Sequence, residues 1–395
     1  MSATEHAGPP KVSPLYDPRV RSIAYQLVLC GIVAFLAYGA ISNAAENLAR
    51  ARIASGFSFW NVTAGFDISQ TLIDYSPQTS TYGRAFWVGL LNTLLVAAIG
   101  IAFATVLGFL IGIARLSRNL LVARLAAGYV ELIRNLPLLL QLLFWYNAVL
   151  KALPPVRESI SVGGALFLNN RGLFLPEFRF QGGGLALLAA FALALAGSIS
   201  FAAWAGRHQM RTGRRPPVLP LVIALFVGLP FMVLLTGSVH LAITFPEVGR
   251  FNIRGGTEIL PEFVALVFGL VIYTAAFIAE VVRAGILSVS RGQTEAAYAL
   301  GLRHGLTLRL VVIPQAMRVI IPPLTSQYLN LTKNSSLAVA IGYPDLVQVF
   351  TGTVLNQTGQ AVEVVVITMA VYLTISLLTS LVMNIYNARM ALVER

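Results

Sequence analysis

Long apolar runs, parted by short stretches in which arginine, glycine and proline gather, set the rhythm of this chain. A helix needs roughly 20 apolar residues to cross the hydrocarbon of a bilayer. Eight runs approach that length: Ile23–Ile41, Ala85–Arg115, Pro137–Leu153, Leu185–Trp204, Leu219–Val239, Phe263–Val282, Gln315–Leu331 and Ala361–Tyr386. The second and last are long enough to tilt or to run past the membrane surface. The seventh contains Pro322 and Pro323, whose missing backbone donors predict a bend in place of a continuous helix. The pattern predicts an all-α integral membrane fold with about eight transmembrane helices.

Composition agrees. Of 395 residues, 57% are hydrophobic and only 11% charged, which excludes a soluble globular chain. The first 22 residues are polar and Pro-rich without an apolar h-region, so they read as a retained tail and not a cleaved signal. The net charge of +12 does not indicate nucleic acid, because the basic residues fall between spans, where they hold loops on the cytoplasmic side. Arg207, Arg211, Arg214 and Arg215 mark one inner turn, and Arg115, Arg118, Arg124 and Arg134 another. Lys11, Arg19 and Arg21 place the N-terminus inside, and eight spans return Arg389 and Arg395 to the same side. Cys30 is alone, and His6, His208, His240 and His304 lack metal-ligand spacing, so no disulfide, metal or other cofactor is expected.

The chain divides into a cytoplasmic tail with a lone span (1–42), a periplasmic segment (43–84), a transmembrane core (85–386) and a cytoplasmic tail (387–395). Within the core, residues 154–262 form an insertion: two external segments flanking a two-span hairpin at 185–239. The hairpin is read as a lipid-facing addition, with contact to a partner subunit as the alternative. In the periplasmic segment, Phe57, Phe59, Trp60, Phe66 and Tyr75 suit a lid or an anchor at the membrane interface. No internal repeat is visible, which argues against secondary transporters built from inverted repeats.

The loop between the sixth and seventh spans carries the most specific pattern. Ser290-Arg-Gly-Gln293 has capping-box spacing, so a short helix is expected to start there. Small residues at Ala296 and Ala297, with Leu300, allow close approach by another surface, and Gly301 permits a sharp change of direction. Pro314 is expected in the first turn of the next helix. Glu295-Ala296-Ala297, then Gly301 and Pro314, resembles the "EAA" coupling loop of ABC-importer permeases. Glu131-Leu-Ile-Arg134-Asn-Leu-Pro137 with Leu138 and Gln141 resembles a segment of the permeases for polar amino acids. So do Gly89-Leu-Leu-Asn92-Thr93-Leu94, Tyr273 through Gly285, Lys333-Asn-Ser-Ser-Leu-Ala, and Tyr343-Pro-Asp-Leu346.

The resemblance is nearest to the larger general L-amino-acid subunit. It implies a type I ABC-importer permease core of five helices with an inserted helical hairpin and an extra N-terminal span. It also implies ABC ATPase subunits, a second homologous permease and a periplasmic amino-acid-binding protein as partners, in a bacterial inner membrane. The chain has no phosphate-cradling Gly-rich Lys-Ser/Thr loop and only three lysines, Lys11, Lys151 and Lys333, so ATP hydrolysis belongs to another polypeptide. The rival readings are an ATPase-independent secondary transporter or channel, or a permease for another polar solute such as an opine. Candidate pathway residues are Glu280, Gln141, Asn147, Gln327 and Asn330. Glu280 either meets a substrate ammonium or pairs with Arg283 three positions on, and the amides either line a cavity or cross-link helices.

Overall fold

The computed structural model describes residues 18–50, 55–181, 184–213, 216–236, 240–249 and 252–390. The expectations placed on the tail through residue 17, on Arg214 and Arg215, and on residues 391–395 lie outside the described residues.

Helix α1 (Pro18–Arg50) carries the first apolar run and buries none of its spanning stretch in the chain. Helix α2 (Tyr82–Ala114) starts at Thr81, whose hydroxyl accepts from the Arg84 amide, a standard N-cap. Residues 120–135, expected in an inner loop, instead form helix α3 (Leu120–Asn135), capped by the Asn119 side chain. Pro137 then drives Leu136 into an extended conformation (φ −99°, ψ 132°), and the path turns through 104°. Helix α4 (Leu138–Leu143) continues as a π-helical turn to Leu150. That run rises only about 20 Å against a hydrocarbon core of ~30 Å, so it does not cross alone. Among the described residues seven helices are long and apolar enough to span, or eight if the bent α3–α4 pair is one span.

The insertion departs from the all-α expectation. Strands β1 (Ile160–Val162), β2 (Leu166–Asn169), β3 (Gly172–Leu175) and β4 (Glu177–Gln181) precede the hairpin of α5 (Gly184–Thr212) and α6 (Val218–Leu235). Strands β5 (His240–Thr244), β6 (Glu247–Val248), β7 (Ile253–Arg254) and β8 (Thr257–Ile259) follow it. Gly163 and Gly164, at φ 62° and 68°, make the tight β1–β2 turn that L-residues with a Cβ resist. The decisive pairings join the two flanks. β3 pairs with β8, and β4 with β5 from Glu177↔Thr244 to Gln181↔His240, so antiparallel strands clamp the entry and exit of the hairpin. A small apolar cluster of Val156, Phe174 and Ile253 underlies them.

Helix α7 (Pro261–Leu287) opens on a proline, where a missing N–H costs nothing. After it come α8 (Arg291–Ala299), α9 (His304–Thr307), a π turn at Leu308–Val312 and α10 (Ile313–Asn334). The chain closes with a 3₁₀ segment (Ser335–Ile341), a π-helical stretch (Val347–Val354), α11 (Leu355–Thr358) and α12 (Ala361–Met390).

The core is a seam of α2, α7 and α10. In hydrocarbon there is no hydrophobic drive between helices, so close packing at small residues holds them. Gly108 and Gly112 sit against Ile278, Ala279 and Val282, and Gly285 against Ile320. A Cβ added at Gly108 would lie 2.6 Å from Ile278. Above one end of α2, Phe59 is buried with Tyr82, Phe86 and Phe350, and Trp60 covers Gly83. The aromatic segment is therefore a lid packed on the core, although Phe57 stays exposed.

One local expectation fails. Helix α10 runs unbroken through Pro322 and Pro323. Both prolines lie on its exposed side, while Ile320, Ile321 and Leu324 are buried on the other and hold the turn in place. Pro314 stands in the first turn of α10, as expected, and shorter helical turns lead into it from His304. The π turn just before it supplies the widened backbone that suits a residue unable to donate.

Candidate functional site

The 290–314 loop folds as two short helical pieces joined at Gly301. Ser290 is the N-cap residue of α8, yet its side chain makes no capping bond, so the expected capping box is absent. Gln293 instead accepts from Gln315 at 3.3 Å, which ties α8 to α10. At the other end of α8, the Leu302 amide bonds to the Ala297 carbonyl and the Gly301 amide to that of Tyr298. This is a Schellman ending, and it requires a left-handed residue at Gly301, found at φ 75°. Tyr298 and His304 bridge the turn with a 2.8 Å hydrogen bond between hydroxyl and Nδ1. Ala297 is buried, whereas Glu295 and Ala296 face outward and Leu300 is 82% exposed.

Along α7 and α10, the structure separates the five proposed pathway residues. Gln327 and Asn330 of α10 join Tyr273, Thr274, Phe277 and Asn334 around a polar cavity of about 330 Å³. That volume lies within the ~300–1,000 Å³ usual for small-molecule sites. Arg134, at the end of α3, sits over the Phe277 ring at 5.0 Å and brings a positive charge close to it. Sequence reading missed Tyr273, Thr274, Phe277 and Asn334, although helical spacing along 273–277 and 327–334 puts each set on one face.

The other three pathway candidates have different work. Both carboxylate oxygens of Glu280 are occupied, one by Arg283 at 2.5 Å and the other by Arg115 from the end of α2. The ion-pair alternative therefore describes Glu280, with a second arginine that sequence spacing could not show. Gln141 is buried and donates to the carbonyls of Ile133 and Leu136, closing the break between α3 and α4. Those carbonyls lost their helical partners at the bend, which explains an amide at that position. Asn147 bonds to its own helix at Leu143 and lies on an exposed face, away from the cavity.

At the opposite end of α2, two of the sequence segments singled out above meet. Asn92 donates to the carbonyls of Pro344 and Gln70, and Thr93 accepts from the Leu346 amide at 3.0 Å. Asp345, fully buried between the last two spans, accepts from the Gln348 amide and from the Tyr372 hydroxyl. Burial pushes its carboxyl up to about 7 despite those bonds. This knot fastens α2, the lid, the 343–348 turn and α12 together.

Such a molecule is a helical protein with several spans long and apolar enough to cross a membrane, a polar cavity between packed helices and an exposed, tightly turned loop. The chain belongs to the family of binding-protein-dependent transport system inner membrane components, whose family model matches residues 198–392. Relatives match it along nearly their whole length. It is 53% identical to the general L-amino acid transport system permease protein AapQ of Rhizobium johnstonii, over 97% of this chain and 95% of the relative. It is 50% identical to the putative amino-acid ABC transporter permease protein YhdX of Escherichia coli, over 96% of each. To the glutamate/glutamine/aspartate/asparagine transport system permease protein BztB of Rhodobacter capsulatus it is 43% identical, again over 96% of each. It is thus a multi-pass protein of the bacterial inner membrane, and its family is one of transport subunits.

Proposed function

We propose that this chain forms one half of the translocation pore of an amino-acid importer. Separate ABC ATPase subunits power it, a second homologous permease completes the pore, and a periplasmic amino-acid-binding protein delivers the substrate. The observation that carries the reading is the rigid, outward-facing turn at Glu295–Gly301, present in a chain with no nucleotide-binding loop of its own. Closure of an ATPase dimer against Leu300 and Ala296 would push α8. Gln293–Gln315 then passes the displacement to α10, which lines the cavity at Gln327 and Asn330. Both termini and the 290–314 loop lie on the cytoplasmic side in this reading, in keeping with the arginine distribution.

Inside the pore, Tyr273, Thr274, Gln327, Asn330 and Asn334 offer hydroxyl and amide groups suited to a zwitterion's carboxylate and ammonium. Glu280, already paired, is not the ammonium partner. Two variants test the reading separately. Gly301→Asp strains the left-handed turn and is expected to leave the chain inserted while reducing uptake at least tenfold. Asn330→Ala is expected to raise the half-saturating substrate concentration without releasing the ATPase. Normal uptake by Gly301→Asp, at matched membrane levels, would remove the coupling role.

A further inference from the structure

The tip of the α5–α6 hairpin has no role in that mechanism, yet it holds the most one-sided charge in the chain. Arg207, His208, Arg211, Arg214 and Arg215 lie within nine residues, and no acidic residue occurs between Glu177 and Glu247. Arg207 and Arg211 are exposed, one helical turn apart on α5, and neither has an ion-pair partner among the described residues. Arg207 and Arg211, at i and i+4 on one helix face, repel one another unless an anion gathers between them.

Helix lengths say where the tip lies. α5 has 29 residues and α6 has 18, so they extend about 44 Å and 27 Å at ~1.5 Å per residue. The hydrocarbon core is ~30 Å thick, which α6 just fills and α5 exceeds by ~14 Å. The excess falls on the stretch from Trp204 to Thr212, at the depth of lipid headgroups. Trp204 and His208 stack there with ring centroids 5.0 Å apart, the arrangement of an interfacial aromatic anchor. The hairpin packs on itself through Ala190, Ala194, Ser198 and Ala205, and α6 buries no residue at all. Among the described residues nothing covers Arg207 and Arg211, so that end of α5 is open to lipid.

We infer that the C-terminal end of α5 is a binding site for anionic phospholipid, with the Arg207 and Arg211 guanidinium groups gripping headgroup phosphates. Arginine's planar fork suits a phosphate bidentately, and each basic side chain near an anionic surface adds attraction of about 1 kcal/mol. Loss of two is expected to weaken retention by about tenfold to thirtyfold. The inference needs only a membrane-spanning hairpin, so it stands apart from the coupling role of the 290–314 loop.

The test uses the full-length chain in mild detergent, titrated with phosphatidylglycerol or phosphatidylcholine and read by native mass spectrometry. Wild type should retain phosphatidylglycerol preferentially. Arg207→Gln with Arg211→Gln should lose that preference, and Arg207→Lys with Arg211→Lys should keep most of it. Equal retention of the two lipids by wild type, or unchanged preference in the glutamine variant, would overturn the site. A photo-crosslinker in place of Met210, which is 91% exposed, supplies a second arm in native membranes. Phospholipid adducts support the inference; adducts chiefly with an ATPase or another polypeptide overturn it.

Discussion

The α2–α7 seam and the α5–α6 hairpin are both apolar helix pairs long enough to cross a bilayer, yet they hold together differently. α6 is among the most apolar helices of the chain and buries nothing, whereas 56% of the spanning stretch of α7 is buried. The difference lies in what the apolar residues are broken by. Along α2, Gly100, Ala104, Gly108 and Gly112 recur every fourth residue, and Gly108 and Gly112 let α7 approach within contact of the backbone while Gly100 meets Leu331 of α10. Polar groups anchor α2 at both ends: Glu280 joins Arg115 and Arg283 to tie it to α7, and Asn92 and Thr93 tie it to the 343–348 turn. The hairpin has small residues on α5 that pack against α6, and its ends are held by the β4–β5 pairing. Hydropathy thus reports that a segment enters the membrane, and the placement of small and polar residues reports what it packs against.

Substitutions can break or sharpen that contrast. The largest effect is expected from Gly108→Leu with Gly112→Leu, which forces side chains into Ile278 and Val282 and should cost about 3 kcal/mol or more. Thermal unfolding of the detergent-solubilised chain reads it directly. Glu280→Gln leaves Arg115 and Arg283 facing each other without a counter-charge, and is expected to cost about 2 kcal/mol, reduced from a fully buried pair by partial exposure. Pairing it with Arg115→Gln should recover part of that loss, and a double-mutant cycle measures how much. Thr93→Val removes the acceptor for the buried Leu346 amide and is expected to cost about 1 kcal/mol. Gly206→Leu and Gly228→Leu, in the hairpin, meet open space and should shift stability by less than about 0.5 kcal/mol. If the hairpin glycines prove as sensitive as those of α2, the two regions do not differ as described.

Much of this architecture was legible in the sequence because membrane spans are local: a run of apolar residues carries its own signal. The Gly301 turn was legible for the same reason, since a left-handed helix ending needs only neighbouring residues. What escaped depends on distant partners. Leu173 pairs with Ile259 across the whole hairpin, and each strand is too short to announce itself. Arg115 reaches Glu280 from another helix, while the sequence showed only the nearby Arg283. Gln141 reads locally as a polar group in a span, and only the bend at Pro137 reveals the orphaned carbonyls it serves. Pro322 and Pro323 predict a break on local grounds, which the packing of Ile320, Ile321 and Leu324 overrides. Of the cavity, Gln327 and Asn330 were found by polarity within a span, and their partners on α7 emerged only with the fold.

The most direct test of the central claim is to tag the full-length chain, extract it gently from native membranes and identify by mass spectrometry what co-purifies. The account predicts an ATPase in stoichiometric amount, lost or sharply reduced in the Gly301→Asp variant, together with a second permease. Repeated recovery of the chain without any ATPase, under conditions that keep other ABC complexes intact, would contradict it.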